Sequence, residues 1–379
     1  MKFRYLMSAL LGIAALLCLS TGEVLAQTTE HCTITAKNAA KGCRADVDEE
    51  YWIGLGNCQN LASYAERGDC RAEVELIQEE DTEECTAIRD ARYDACDLLG
   101  QDRVSDPLED PNINFVDPDG IPDVWPVNPY VSLAVGHTYV LQAGEDFEET
   151  VVVTVTDEIR EINGVDCRVV VDAVVIAEED DEEPGTISYE PEEITEDYFA
   201  QSETGDVYYC GETSENYEDG HLTDLDGSFI SGVEFAKAGL LMRVAPQVGD
   251  ADRQEWFLDE AEDISEYVDL AGIPSDDEGG ENENFPCAPG GCLKTFETAP
   301  IDPEDTEFKY YISGVGFVLA TAMEDGEFTG EREELLCVGD SLDVLNDETC
   351  GIEDVEELLD ELCELAPDAF CPPDPEDLP

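Results

Sequence analysis

The chain has 379 residues, with 94 Asp and Glu against 18 Lys and Arg, and a formal net charge of -76. A field of this sign excludes binding to nucleic acid or to an anionic membrane surface, because both partners need a basic patch. Hydrophobic residues still make up 42% of the chain, which is enough for a sizeable core, so disorder of the whole chain is excluded as well.

The first 26 residues have the pattern of a secretory signal peptide. Lys2 and Arg4 form a basic start, residues 6–19 are almost entirely apolar, and Val24 and Ala26 occupy the -3 and -1 positions of a cleavage site. The sequence therefore predicts a secreted or periplasmic protein, with cleavage after Ala26.

Fourteen cysteines follow this segment. In an oxidising compartment an even number of cysteines predicts disulfides, and no Cys-x-x-Cys motif supports a zinc or haem site. The candidates for disulfide formation are Cys32, Cys43, Cys58, Cys70, Cys85, Cys96, Cys167, Cys210, Cys287, Cys292, Cys337, Cys350, Cys363 and Cys371.

Residues 27–100 form a Cys-rich module. Its six cysteines are separated by 11, 15, 12, 15 and 11 positions, on sequence rich in Ala, Glu, Arg and Leu. Gly54-Leu55-Gly56 and Gly68-Asp69 indicate breaks between helices. We predict short antiparallel helices clipped together by disulfides, whose pairing stays open because six cysteines allow many connectivities.

Three regions follow the module. Residues 101–129 are rich in Pro, Asp and Asn, which indicates an acidic Pro-rich linker. Residues 130–339 contain short β-branched or aromatic runs bounded by Gly, Asn or Asp, which predicts an antiparallel β domain; within it, residues 254–270 fit either one helix or two strands. Residues 340–379 are an acidic C-terminal extension with one short helix over residues 352–365.

The predicted fold is mostly β. A strand count near ten in one uninterrupted region favours an antiparallel barrel or a strongly curved half-barrel over two small domains. The small N-terminal disulfide-stapled α-helical module and the acidic C-terminal extension are attached to it.

Several blocks of the sequence resemble a group of uncharacterised secreted bacterial proteins with a β-rich domain. They include Asn128-Pro129-Tyr130, Asp197-Tyr198-Phe199-Ala200-Gln201 and Lys309-Tyr310-Tyr311-x-x-Gly314-Val315-Gly316. The resemblance spans roughly residues 85–323. It implies an exported bacterial β-rich domain and implies no activity. This chain departs from the group in its acidity and in extra cysteines such as Cys210.

One motif has a specific ionic chemistry. Asp117, Asp119 and Asp123 lie in Asp-Pro-Asp-Gly-Ile-Pro-Asp, which resembles the Asp-x-Asp-Gly-x-x-Asp core of thrombospondin type 3 calcium repeats. Alternating Asp side chains around a Gly bend can direct oxygens to a hard cation. We predict these three residues as ligands of Ca²⁺, the one cofactor that the sequence suggests, with an acidic linker as the alternative.

The strongest other polar group is Arg253, Glu255 and Trp256, followed by the segment 260–263, which contains three acids and one alanine. These three residues are the predicted ligand-binding residues, and the alternative is a buried Arg–Glu pair inside the barrel. The three histidines lie in no catalytic motif, and carboxylate pairs carry no weight in a chain with 94 acids. The sequence therefore predicts no catalytic residue and no enzyme.

Two functions follow from these observations. The first is an exported, salt-adapted acidic protein with a non-enzymatic binding or structural role, and a small apolar ligand in the β domain. The alternative is a Ca²⁺-binding or Ca²⁺-stabilised extracellular protein, in which divalent cations neutralise the acids. The sequence does not indicate the oligomeric state or the identity of a ligand.

Overall fold

The structure is a computed structural model. It describes residues 30–121, 128–144, 147–179, 187–218, 220–274, 287, 290–324, 326–352 and 354–371. The predicted signal peptide, and Asp123 of the predicted calcium motif, lie outside these residues.

The N-terminal module is a hairpin of two long helices, α1 (His31–Cys58) and α2 (Tyr64–Leu99). The prediction of short helices with breaks at glycine was wrong, because Gly54 and Gly68 lie inside helices. At Gly54 the reason is packing: a Cβ there would lie 2.9 Å from a methyl group of Val74 on α2. Close approach of the two helices thus offsets the roughly 1 kcal/mol that Gly costs inside a helix.

Three nested disulfides join the two helices: Cys32–Cys96, Cys43–Cys85 and Cys58–Cys70. In an antiparallel helix pair, residues at equal distances from the turn lie opposite one another. Nested disulfides between such residues therefore require a nearly palindromic spacing of the cysteines. The spacing of 11, 15, 12, 15 and 11 positions between the cysteines therefore indicates this nested pairing.

The β domain is one antiparallel sheet that curves into a nearly closed barrel. Its strands, among the described residues, are β1 Thr138–Ala143, β2 Glu149–Ile162, β3 Val165–Glu179, β4 Ile187–Gln201, β5 Val207–Glu218, β6 His221–Asp224, β7 Phe229–Ile230, β8 Lys237–Met242, β9 Ala251–Arg253, β10 Glu255–Trp256, β11 Ile264–Gly272, β12 Cys292–Ala299, β13 Asp302–Ile312, β14 Gly316–Glu324 and β15 Glu327–Gly339.

Neighbours in the chain are mostly neighbours in the sheet. The first strand, β1, pairs with both β2 and the last strand, β15. On the opposite side β9 pairs with β11 and β10 pairs with β8, so the short segment 251–256 links the two edges. Gly239 on β8 permits this contact, because a Cβ there would lie 2.2 Å from the Gln254 carbonyl oxygen.

The predicted barrel is confirmed, and of the two alternatives for residues 254–270 the strands are the ones that form.

The bridge between Cys167 on β3 and Cys210 on β5 lies on the barrel's outer surface with Val169 and Val171. Alternate residues of β3, such as Val170, line the interior. This alternation follows from the two-residue period of a strand.

The C-terminal extension covers the outer surface of the barrel. Its described residues form two α-helices rather than the one predicted, α3 (Val355–Leu365) and α4 (Pro367–Phe370). Leu358 and Leu362 of α3 are fully buried in the cluster that contains the outward side chains of β3. The disulfide Cys337–Cys350 ties the extension to β15, and Cys363–Cys371 ties α3 to the end of α4.

The described linker residues 101–121 lie on the barrel. The Val116 amide donates to the Gln201 carbonyl at 2.9 Å, and Ser231 Oγ donates to Asp106 Oδ2 at 2.6 Å. The Lys237 ammonium also donates to the Val104 carbonyl oxygen at 2.5 Å. These contacts fix the base of the helical hairpin next to the barrel.

We expect the middle bridge of the hairpin to carry much of its stability. Removing it in C43A/C85A should lower the free energy of unfolding of the hairpin by about 3 kcal/mol, because the unfolded chain loses a constraint. Hydrogen exchange of α1 and α2 amides measures this change. The control C287A/C292A opens a bridge of sequence separation 5 and should leave helix exchange unchanged. Equal helix exchange in both variants would contradict the prediction.

Candidate ligand sites inside and beside the barrel

The barrel interior contains an open chamber of about 250 Å³. Five aromatic rings and several aliphatic side chains form its walls. The aromatic residues are Tyr130, Tyr139, Phe199, Tyr311 and Phe317, and the aliphatic ones are Val131, Leu133, Leu141, Val153, Val155, Val170 and Leu241. The walls of the chamber are therefore largely apolar.

Four charged side chains line the same chamber: Asp172 on β3, Asp197 on β4, Lys309 on β13 and Glu333 on β15. They face inward because each stands at an inward position of its strand, as Val170 does two residues before Asp172. Asp172 Oδ1 is buried and has no hydrogen-bond partner in the described part of the chain. The chamber thus combines apolar walls with an acidic floor.

Further carboxylates lie beyond this floor. The Lys309 ammonium forms ion pairs with Glu297 at 3.2 Å and with Glu307 at 2.9 Å. Lys309 therefore pairs with two carboxylates at once. Among the described residues at this position, the interior acids outnumber the bases that could pair with them. Burial of such a charge is unfavourable unless it is paired or neutralised by a proton.

The Tyr209 hydroxyl lies between two interior carboxylates. It is within hydrogen-bond distance of both Asp197 Oδ1 and Glu212 Oε2, the latter at 2.6 Å. A phenol has one proton to donate, so it can serve only one of the two carboxylates at a time. Burial and the nearby Glu212 raise the pKa of Asp197 well above its ordinary value, which favours the protonated form of one member of the pair.

The pKa values of the interior acids agree with this geometry. Burial, together with neighbouring carboxylates, raises the pKa of Asp172 to about 7 and that of Glu333 to about 8. Burial likewise raises the pKa of Glu212 to about 7, against the hydrogen bond from Tyr209 that lowers it. Near neutral pH the interior acids therefore take up either protons or external cations.

A second, larger cavity of about 630 Å³ lies between the helical hairpin and the barrel; we call it the hairpin cleft. Two of the predicted ligand-binding residues, Arg253 and Trp256, line it, and the guanidinium carbon lies 4.4 Å from the Trp ring centroid. The third, Glu255, is buried elsewhere, among interior acids that include Asp263 and Glu212. The strand alternation of β10 separates Glu255 from Trp256.

A buried Arg–Glu pair is present, but its arginine is Arg92 of α2 rather than Arg253, and it joins the hairpin to the barrel instead of lying inside the barrel. The side chain of Arg92 donates from Nε to both oxygens of Glu262 at 3.1 Å and from Nη2 to Glu262 Oε1 at 2.5 Å. Arg92 Nη2 also donates to Asp259 at 3.0 Å. This buried fork joins the hairpin to the barrel.

The predicted calcium motif lies on a one-turn 3₁₀ helix of the linker. The Asp117 side chain accepts a hydrogen bond from the Asp119 amide at 3.1 Å, and Asp119 forms an ion pair with Arg168 at 3.5 Å. No group of three or more His, Cys, Asp or Glu side chains among the described residues is arranged to hold a metal ion. The calcium site stays a prediction, since Asp123 lies outside those residues.

Comparison with known proteins returned no match. No protein-family model, no curated protein and no solved structure is similar to this chain. None of the helices in the described ranges is long and apolar enough to cross a membrane. The seven disulfides fit an extracellular location.

We expect stability to fall as the pH rises from about 4, where an unfolded carboxyl loses its proton, to about 8. Over this range the folded interior keeps protons that the unfolded chain has lost. The stabilisation present in acid is therefore lost up to the folded pKa values of Asp263 (about 6), Asp172 (about 7) and Glu333 (about 8).

The test compares two matched variants, whose free energies of unfolding are measured by urea titration at pH 5 and at pH 9. Glu333→Gln should reduce the loss of unfolding free energy between the two pH values by on the order of 2–4 kcal/mol. The control Glu327→Gln changes an exposed residue of the same strand and should behave as the wild type. An identical pH dependence in both variants would show that Glu333 does not titrate in this range.

Proposed function

We propose that the protein is an exported, non-enzymatic binding protein whose barrel chamber holds a small organic cation with an apolar body. The observation that carries the proposal is the unpartnered Asp172 Oδ1 on the floor of an aromatic-walled chamber. A purely apolar ligand, as predicted from the sequence, would leave this carboxylate without a partner. An ammonium group would satisfy it.

Electrostatics supports the same choice of ligand. Asp172, Asp197 and Glu333 outnumber Lys309 at the floor, so the floor is net negative once these acids have lost their protons. The low-dielectric walls strengthen the attraction of such a floor for a cation, because little water screens it. The cation would also replace the protons that these acids hold near neutral pH.

The walls suit the apolar part of such a ligand. Tyr311 and Phe317 stand edge to face, with centroids 5.8 Å apart, and Phe199 stacks on Tyr209 at 4.8 Å. Aromatic faces attract cations as well as apolar groups. Small-molecule sites commonly join such apolar walls to a few polar groups that fix orientation.

Salt adaptation is a separate part of the proposal and rests on the net charge of -76. The Debye length falls from about 8 Å at physiological ionic strength to about 3 Å at 1 M, so concentrated salt screens most of the self-repulsion. The disulfides support export, because they persist in oxidising compartments.

Binding of 2-phenylethylamine tests the ligand class. At pH 8 we expect the amine to bind and to release protons, which calorimetry in buffers of different ionisation enthalpy detects. The neutral isostere 2-phenylethanol should bind at least tenfold more weakly, since it leaves Asp172 unpaired. Asp172→Asn should remove the difference between amine and alcohol.

The matched control is Asp69→Asn, which removes one acid from the exposed surface of α2. It should bind the amine as the wild type does. Equal affinity for amine and alcohol in the wild type, or an unchanged preference in Asp172→Asn, would refute the organic-cation proposal.

Thermal melts separate salt adaptation from calcium binding. Screening predicts that the melting temperature rises with NaCl up to several molar and that any salt has this effect. A calcium site instead predicts a rise at millimolar CaCl₂ that follows RT ln(1 + [L]/Kd). If the second response occurs, Asp119→Asn should abolish it; if the variant keeps it, the linker motif is not the site.

A further inference from the structure

The hairpin cleft is a separate cavity with a chemistry opposite to that of the barrel chamber. Four basic side chains line it, Arg92, Arg103, Lys237 and Arg253, against three acidic ones, Asp102, Glu234 and Glu262. The lining residues therefore carry one net positive charge, in a chain whose net charge is -76, and Asp259, which is outside the lining, also pairs with Arg92. Four of only 18 Lys and Arg residues thus meet at one cavity.

Two guanidinium nitrogens in this cleft have no hydrogen-bond partner among the described residues. They are Nη1 of Arg92 and Nη1 of Arg253, and both atoms are buried. Arg92 as a whole is only 3% exposed, and its Nε and Nη2 are already used by Glu262 and Asp259. A buried donor of this kind is unfavourable unless an acceptor completes it, more so when it is charged.

Of the two arginines, Arg253 has the weaker pairing of its positive charge with carboxylates. Its guanidinium lies over the Trp256 ring, and within the part of the chain that the structure describes it forms no ion pair like the Arg92–Glu262 contact. Burial, together with the nearby Arg92, lowers the pKa of Arg253 to about 10, although Glu262 and Asp263 act in the opposite direction. An anion between the two arginines would relieve this repulsion.

Apart from His31 and Thr35, the rest of the cleft lining is apolar. Trp256, Phe257 and Leu258 of the barrel face Ile34 and Ala36 of α1. At the rim, Phe235 is 91% exposed, and its φ of 77° and the φ of 46° at Glu234 place both residues in the left-handed region. Such conformations cost on the order of 1–3 kcal/mol and are often found where a loop holds a ligand.

We infer that the hairpin cleft binds a small monocarboxylate with an apolar body, its carboxylate held between the free Nη1 atoms of Arg92 and Arg253. One net positive charge suits a monoanion better than a phosphate dianion. The indole of Trp256 and the ring of Phe235 would contact the apolar body. This site is independent of the barrel chamber, since its residues and its charge differ from those of the chamber.

Binding of 3-phenylpropionate to the full mature chain, followed by calorimetry and by Trp fluorescence, tests this inference. The neutral isostere 3-phenylpropan-1-ol should bind at least tenfold more weakly, and octanoate against octanol should show the same preference. Arg253→Gln should weaken the carboxylate at least tenfold and leave the alcohol unchanged. Asp172→Asn should leave carboxylate binding intact, which separates this site from the chamber.

Two further variants keep the test decisive. Arg71→Gln removes the same charge from the exposed far end of the hairpin and should bind as the wild type does. Phe235→Ala should weaken both carboxylate and alcohol, because it removes contact with the apolar body. Unchanged melting temperatures exclude unfolding as the cause. Failure of the carboxylates to bind at millimolar concentration, equal binding of carboxylate and alcohol, or wild-type affinity in Arg253→Gln would overturn the inference.

Discussion

Closure of the antiparallel sheet is the constraint on which the rest of this structure depends. Segment 251–256 pairs with the first three residues of β11 on one side and with two residues of β8 on the other, so a part of each sheet edge is paired. Closure gives every strand an inner and an outer row of side chains. The inner row forms the chamber, and the outer row of β3 forms the surface that α3 covers. A one-residue slip of β3 would exchange Asp172 and Val171 between these environments.

The same segment also connects the two candidate sites. Glu255 is buried among the interior acids, whereas Arg253 and Trp256 line the hairpin cleft. The helical hairpin is needed for the cleft, because Arg92 of α2 supplies both the contact with Glu262 and one free donor. The molecule thus separates its charges. Excess acids line the chamber, whereas four of the 18 Lys and Arg residues line the cleft where the hairpin meets the barrel.

Sequence patterns identified the barrel because β-branched runs bounded by turn residues report local structure. They also identified Arg253 and Trp256, since a scarce arginine beside a tryptophan stands out in an acidic chain. Asp172, Asp197 and Glu333 could not be identified in this way. Each is one acid among 94, and only strand register and barrel closure turn it inward. Arg92 was missed because its partner, Glu262, is 170 residues away.

By itself the sequence determined the acidic charge, the oxidised cysteines, the antiparallel β domain and the order of its regions. These properties depend on composition and on patterns a few residues long. The tertiary structure alone decided that the helices of the module are continuous, which arginine meets Glu262, and which acids are buried together. Each of these outcomes requires distant residues to be brought together, and local propensity contains no term for such contacts.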